Sequence, residues 1–249
     1  MSGAAFFDID GTLLGKPSLE RRFFWRLACA GNVSPANCVR WAAAALRNAP
    51  QGWRASVQGN KQYLRGARAD IFSEQPALTP ASWLPELRMR GLQQAWHHAV
   101  HGDAIVLVSG TLAPLAQIVK FALERELLGR GVGTRVAVLA TRLEVGNARW
   151  TGRVRGEPMF GEAKAQAMRR FARQHNISLA QSSAYGDSSL DRWMLAAAGH
   201  PHAVNPDAGL RRIALQQGWK ILDWDDHERT ARNNDLCNGN VRLHDEIWF

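Results

Sequence analysis

Short apolar runs recur along this chain, and several stop at a polar residue capable of chemistry. Residues 4–7, Ala4-Ala5-Phe6-Phe7, read as a buried strand that hands over directly to Asp8. A second run, Ala104 to Val108, ends in Ser109-Gly110-Thr111, and Pro114 suits the first turn of a following helix. Val136 to Leu139 is a third strand candidate, while Thr141 to Arg155 alternates around Gly146-Asn147 like a β-hairpin. The pattern then predicts a helix over Glu162 to Gln174, a strand over Ser183 to Tyr185, a turn at Gly186-Asp187 and a helix from about Ser188. A short strand near Ala203, a helix near Leu210 and a last strand over Trp219 to Leu222 complete the series.

From Leu19 to about Ala99 the periodicity is helical, broken by Gly and Pro around residues 31–35, 49–52 and 75–80. Strands alternating with helices on either side of this stretch predict an α/β fold, a doubly wound parallel sheet with helices on both faces. The predicted organisation is a core of residues 1–15 and 100–222, a helical cap of residues 16–99 after the first strand, and a polar, aperiodic tail of residues 223–249. In such sheets ligands bind beyond the carboxyl ends of the strands.

At 249 residues, one core domain with a smaller inserted module is the economical organisation. Apolar residues at 46% and charged residues at 21% exclude a disordered chain. The three cysteines, Cys29, Cys38 and Cys237, are odd in number and lie at no metal-ligand spacing, so a reducing cytoplasm is the expected setting. No apolar stretch is long enough to span a bilayer. The net charge of +9 favours anionic partners, whether phosphorylated metabolites, nucleic acid or acidic lipid headgroups.

Asp8 and Asp10 stand two residues apart after a strand, a spacing that turns both carboxylates to one side of an extended chain. Phosphoryl transfer needs a nucleophile, a proton donor for the leaving oxygen and neutralisation of equatorial charge. Two carboxylates and a metal supply the first two and part of the third. Alone, such a pair is equally a solvated turn. Asp187 and Asp191 add carboxylates after another strand, the ligand type Mg²⁺ prefers, although Asp187 also suits the cap of the helix predicted from Ser188. Ser109 and the Gly110 amide suit a phosphate oxygen, and Ser109 equally a helix cap. Lys164 sits in the first turn of its helix, where the dipole disfavours a cation and a nearby anion would explain it. His97 and His101, four apart, lack a third ligand and read as a hydrated helix end with His98.

Together the four stations, Asp8-x-Asp10-Gly-Thr, Ser109, Lys164 and Gly186-Asp187-x-x-x-Asp191, resemble in order and spacing the motifs of the haloacid dehalogenase superfamily phosphatases. The resemblance covers about Ala4 to Leu222. Residues 18–23, 141–145 and 204–207 look like its phosphoserine phosphatase-like IB subfamily, with the helical insertion in the position of a C1-type cap. It implies a Mg²⁺-dependent phosphomonoesterase in which Asp8 forms an aspartyl phosphate and Asp10 is acid then base. Asp8, the Asp10 main-chain oxygen and Asp187 would hold the metal, with Asp191 behind them, and Ser109, Gly110 and Lys164 would cradle the phosphate.

A phosphoserine phosphatase would carry a Gly-Asp-Gly-x-Asn-Asp motif where this chain has Ser188, Ser189 and Leu190, which argues against phosphoserine. Substrate recognition is expected in the cap, with Glu20, Arg21, Arg22, Arg54, Lys61 and Arg65 as candidates to meet the leaving group of a small phosphorylated substrate. The cap aromatics Phe23, Phe24, Trp25, Trp41 and Trp53 are expected in the core. Three other readings stay open: a phosphotransferase or mutase using the same aspartyl phosphate; a phospholipid-type phosphatase whose Arg- and Trp-bearing cap rests on an anionic membrane surface; and a basic nucleic-acid-binding protein on a degenerate scaffold. Against the last, no nucleic-acid module is visible and all four stations are intact.

Overall fold

All four side chains of β1 (Ala4–Phe7) are buried, as an unbroken apolar run requires at the centre of a sheet covered on both faces. The structure, a computed structural model, describes residues 2–29, 31, 33–48, 59–69 and 86–225; Trp53, Arg54, Cys237 and the rest of the tail beyond Asp225 lie outside them. After β1 come α1 (Leu19–Cys29), α2 (Pro35–Asn48), a single 3-10 turn (Gln62–Leu64) and α3 (Met89–Val100). Then follow β2 (Ala104–Leu112), α4 (Ala113–Gly129), β3 (Val136–Thr141), β4 (Leu143–Gly146), β5 (Arg149–Val154) and α5 (Glu162–Gln174). The chain continues through β6 (Ser183–Gly186), α6 (Arg192–Ala196), β7 (His200–Val204), α7 (Ala208–Gln217) and β8 (Lys220–Leu222).

The main sheet is six-stranded, in the order β3-β2-β1-β6-β7-β8, and every neighbouring pair is parallel. The chain winds outward from β1 to β3, then returns to lay β6 on the other side of β1. That reversal opens a crevice at the carboxyl ends of β1 and β6, where an open α/β sheet binds its ligand. Period-two alternation divides the core. Phe7, Ile105, Leu107 and Leu115 pack on one face, and Phe6, Val106, Met168 and Leu195 on the other. β4 and β5 form the expected antiparallel hairpin, with Asn147 and Ala148 in the left-handed region as a tight turn demands. Phe23 of α1 packs edge-on to Trp150 of the hairpin at 6.5 Å, and Gln62 Nε2 donates to the Gly152 carbonyl at 3.1 Å.

Two elements differ from the sequence pattern. β2 continues through Ser109-Gly110-Thr111 to Leu112, with its register to β3 broken between Ser109 and Leu112. The helix expected from Ser188 is a 3-10 turn over Ser189–Asp191 followed by the short α6. Its cap is Ser188, whose side chain and backbone share a reciprocal capping box with Asp191, rather than Asp187.

Phe7, Tyr185 and His202 stand in register on three adjacent strands and stack face to face, with centroids 4.6 Å apart in each pair. The Tyr185 hydroxyl lies 2.8 Å from His98 Nε2, and His98 Nδ1 lies 2.7 Å from the Asp103 carboxylate, which ties α3 to the sheet. Burial holds the His98 pKa below its ordinary value against the pull of Asp103. Among the described residues no helix is long and apolar enough to cross a membrane. Tyr185→Phe keeps the stack and removes only the hydroxyl, so it should cost about 1–2 kcal/mol by leaving buried His98 short of a partner; urea denaturation midpoints at constant m-value test this.

Candidate active site

β1, β2 and β6 end side by side, and the residues that follow or close them face one cavity of about 1110 Å³. Asp8, Asp10, Ser109, Gly110, Lys164, Asp187 and Asp191 all line it, so the four stations, scattered over the sequence, share one pocket. The Asp8 amide donates to the Tyr185 carbonyl at 2.9 Å and thereby continues the β1–β6 ladder by one residue. That bond fixes the backbone from which the carboxylate projects.

Lys164 sits within a helical turn of the α5 N-terminus and is buried. Its Nζ lies 2.6 Å from Asp8 Oδ1 and 2.6 Å from Asp191 Oδ1, so carboxylates of the protein itself explain a cation at this end of a helix. Burial alone would favour loss of its proton, but Asp191 and Asp8 outweigh it and raise its pKa. Burial pushes the Asp8 pKa well up; Lys164 opposes this, while Asp191 and Asp187 add to it. Asp187 is pushed up to about 7, first by burial and then by the Asp191 charge. Asp10 is raised by burial, and its Oδ1 accepts a 2.7 Å bond from the Leu19 amide at the start of α1.

Close approach at this rim depends on two glycines. At Gly11, with φ of +93°, a Cβ would fall 2.0 Å from Asp187 Oδ2. At Gly110 it would fall 1.9 Å from the Phe160 ring. Ser109 does not cap α4, whose N-cap is Leu112 without a side-chain bond; its Oγ accepts from the Thr111 amide at 3.2 Å. Thr111 also lines the cavity, and among the described residues its buried hydroxyl has no hydrogen-bond partner.

The donor set suits a hard dication. Asp8, Asp187 and Asp191 place carboxylate oxygens within 4.8 Å of one another, and a single buried ammonium stands against them. Both Asp191 oxygens are already engaged, Oδ1 by Lys164 and Oδ2 by the Ser188 amide and hydroxyl. Among the described residues nothing hydrogen-bonds the Asp187 carboxylate, so Asp187 is the better placed of the two to ligate a metal. His97 and His101 belong to no such group: their rings lie 4.3 Å apart at the exposed end of α3.

Of the cap candidates, Glu20 and Arg21 line the cavity. Lys61 is buried behind Glu20, with Nζ 2.5 Å from Oε1. Arg22 turns back to the Pro17 and Gly15 carbonyls, and Arg65 is exposed away from the lining; Arg54 lies outside the described residues. Phe23 is core as expected and Trp25 is exposed, while Phe24 and Trp41 pack partly buried against the core and also line the cavity beside Ala42 and Tyr63. Phe160, Leu190 and Thr111 also line it, and sequence reasoning had not singled them out as site residues.

A parallel sheet with buried carboxylates and a lysine at its switch point is the architecture of an α/β enzyme. The chain belongs to the haloacid dehalogenase-like hydrolase family, whose model matches residues 5–196. It is 33% identical over 240 residues to an inhibition of morphological differentiation protein of Streptomyces azureus, covering 89% of this chain and 78% of that protein. It is 39% identical over 94 residues to a phosphoserine phosphatase of Mycobacterium tuberculosis, a match spanning 38% of this chain and 30% of that relative. The crystal structure of a protein of unknown function from Bordetella pertussis superposes with a TM-score of 0.63 at 25% identity, covering 90% of this chain and 99% of that one.

Because Asp187 is protonated below about pH 7 in the metal-free site, a cation must displace that proton. Affinity for Mg²⁺ should therefore weaken as pH falls from 8 to 6, approaching about tenfold per unit below the Asp187 pKa. Calorimetric titrations in buffers of different ionisation enthalpy check both the trend and the released proton.

Proposed function

We propose that this protein is a Mg²⁺-dependent phosphomonoesterase that works through an aspartyl phosphate on Asp8. The observation that carries the reading is the junction of Asp8, Lys164, Asp187 and Asp191 beside Ser109, at the mouth of a cavity large enough for a phosphorylated substrate. The phosphatase names among the relatives support the reaction class.

Asp8 Oδ attacks phosphorus, an Asp–O–P bond forms and the ester P–O bond breaks. The leaving oxygen takes the Asp10 proton; burial raises the Asp10 pKa, which is the direction an acid requires. Asp10, now ionised, accepts a proton from water as that water attacks the aspartyl phosphate, which restores Asp8 and releases inorganic phosphate. Lys164 steadies Asp8 as an anion before attack, and with Ser109 and the Gly110 amide it meets the equatorial oxygens. Asp191 holds Lys164 in place. Asp8, the Asp10 main-chain oxygen and Asp187 would hold Mg²⁺, which would supply positive charge that favours the ionised nucleophile and offsets charge on the phosphoryl group. The segment between β1 and α3, with α1 and α2, acts as a cap over this floor and supplies the contacts to the leaving group, whereas α3 is tied to the sheet through His98; we place the protein's work in the cytoplasm.

Asp8→Asn should lower kcat by roughly 10⁴-fold or more, and Asp10→Asn by about 10²–10⁴-fold. Phosphate release from p-nitrophenyl phosphate measures both. Chelation with EDTA should abolish the release and added Mg²⁺ restore it. Full activity in Asp8→Asn would overturn the nucleophile assignment.

A further inference from the structure

The cavity is divided by polarity. Its floor, from the strand-end loops, carries Asp8, Asp10, Ser109, Lys164 and Asp187. Its wall carries Phe24, Trp41, Ala42, Tyr63, Phe160 and Leu190, with Lys16, Ser18, Glu20, Arg21 and Cys38 also in the lining. A small polar alcohol such as that of an amino-alcohol phosphate would meet the polar groups of the lining and leave its aromatic side chains unused. The acid that α1 turns toward the cavity, Glu20, is already committed: its Oε1 lies 2.5 Å from Lys61 Nζ and 2.6 Å from the Tyr63 hydroxyl. Burial and the neighbouring Glu20 charge raise the Tyr63 pKa, so this phenol stays a donor to Glu20.

The apolar wall also extends outward. Ala42 is both exposed and part of the lining, and three residues before it and four after it on α2 stand Val39 and Leu46, 69% and 67% exposed. Positions at this spacing share a helix face, so an apolar strip runs from the cavity wall to solvent. Trp25 on α1, 57% exposed, packs edge-on against the cavity-lining Phe24 at 5.9 Å between ring centroids. Isolated exposed apolar residues need no explanation, but a strip continuous with a cavity does. The volume, about 1110 Å³, lies just above the range of ordinary ligand pockets, roughly 300–1,000 Å³.

We infer that the leaving group taken by this site is a long-chain apolar alcohol, so that the substrate is an amphiphilic phosphomonoester rather than an amino-alcohol phosphate. The phosphate sits on the polar floor, and the chain lies along Phe24, Trp41 and Ala42 and leaves between α1 and α2. The inference rests on the phosphatase reading for which end of the molecule meets Asp8, but its test does not need turnover.

The test is the affinity of the Mg²⁺-loaded protein for ethyl-, hexyl- and decylphosphonate, which cannot be hydrolysed, by calorimetry below the critical micelle concentration. Full burial tightens binding by up to about fourfold per methylene, and we expect at least a hundredfold rise from ethyl to decyl. Ala42→Glu, at an exposed position, should compress that spread by at least tenfold. Affinities within threefold across the series, or tighter binding of the phosphonate analogue of phosphoserine than of decylphosphonate, would overturn the inference. An unchanged spread in Ala42→Glu would overturn the path along α2. Turnover of p-nitrophenyl phosphate by the same preparation reads the phosphatase assignment separately. A steep series without turnover supports the inference and removes that assignment, and a flat series with turnover does the reverse.

Discussion

Lys164 is buried with its ammonium 2.6 Å from a carboxylate oxygen of Asp8 and 2.6 Å from one of Asp191. A charge out of water costs several kcal/mol unless it is paired and hydrogen-bonded, so this triad forms only when all three segments arrive together. Asp8 comes from the end of β1, Asp191 from the turn beyond β6, and Lys164 from the first turn of α5. The triad therefore depends on the parallel pairing of β1 with β6, and a slip in that register would leave a buried charge without its partner. Asp187 joins the same group, and the negative charge it adds exceeds what one ammonium offsets, which is the electrostatic ground for a metal there.

Crowding at the rim follows from the same convergence. Gly11 and Gly110 stand where a Cβ would strike Asp187 or Phe160, so the absence of a side chain lets two loops close on the carboxylates. Bulk returns one layer further out. Phe24, Trp41 and Tyr63 form an apolar wall over the polar floor, and Glu20 is neutralised by Lys61 behind it.

The periodicity located β1, α5 and the β4–β5 hairpin closely, because each is a local pattern: an unbroken apolar run, a 3.6-residue period, an alternation around Gly146-Asn147. It stopped β2 at Val108, since Ser109-Gly110-Thr111 reads as a loop; the extension to Leu112 is set by pairing with β3 across a register break, a non-local contact. The turn after β6 read as the start of a helix, with Asp187 open either as its cap or as a metal ligand. The reciprocal bonds of Ser188 and Asp191 give the cap to Ser188 and leave Asp187 facing the cavity. Phe24 and Trp41 carried the signature of core residues, because burial against protein and burial against a ligand select the same side chains.

The sequence by itself determined the α/β class and the order of the strand-ending motifs, because these rest on local periodicity, and its resemblance to the haloacid dehalogenase motifs singled out Asp8, Asp10, Ser109, Lys164, Asp187 and Asp191 as candidates. Tertiary structure alone decided that they share one cavity, that Lys164 bridges Asp8 and Asp191, that Glu20 is spent on Lys61 and Tyr63, and that Phe160, Leu190 and Ala42 complete the wall. Those are contacts between segments far apart along the chain, and no local pattern of hydrophobic and polar positions encodes which distant side chain fills a given space.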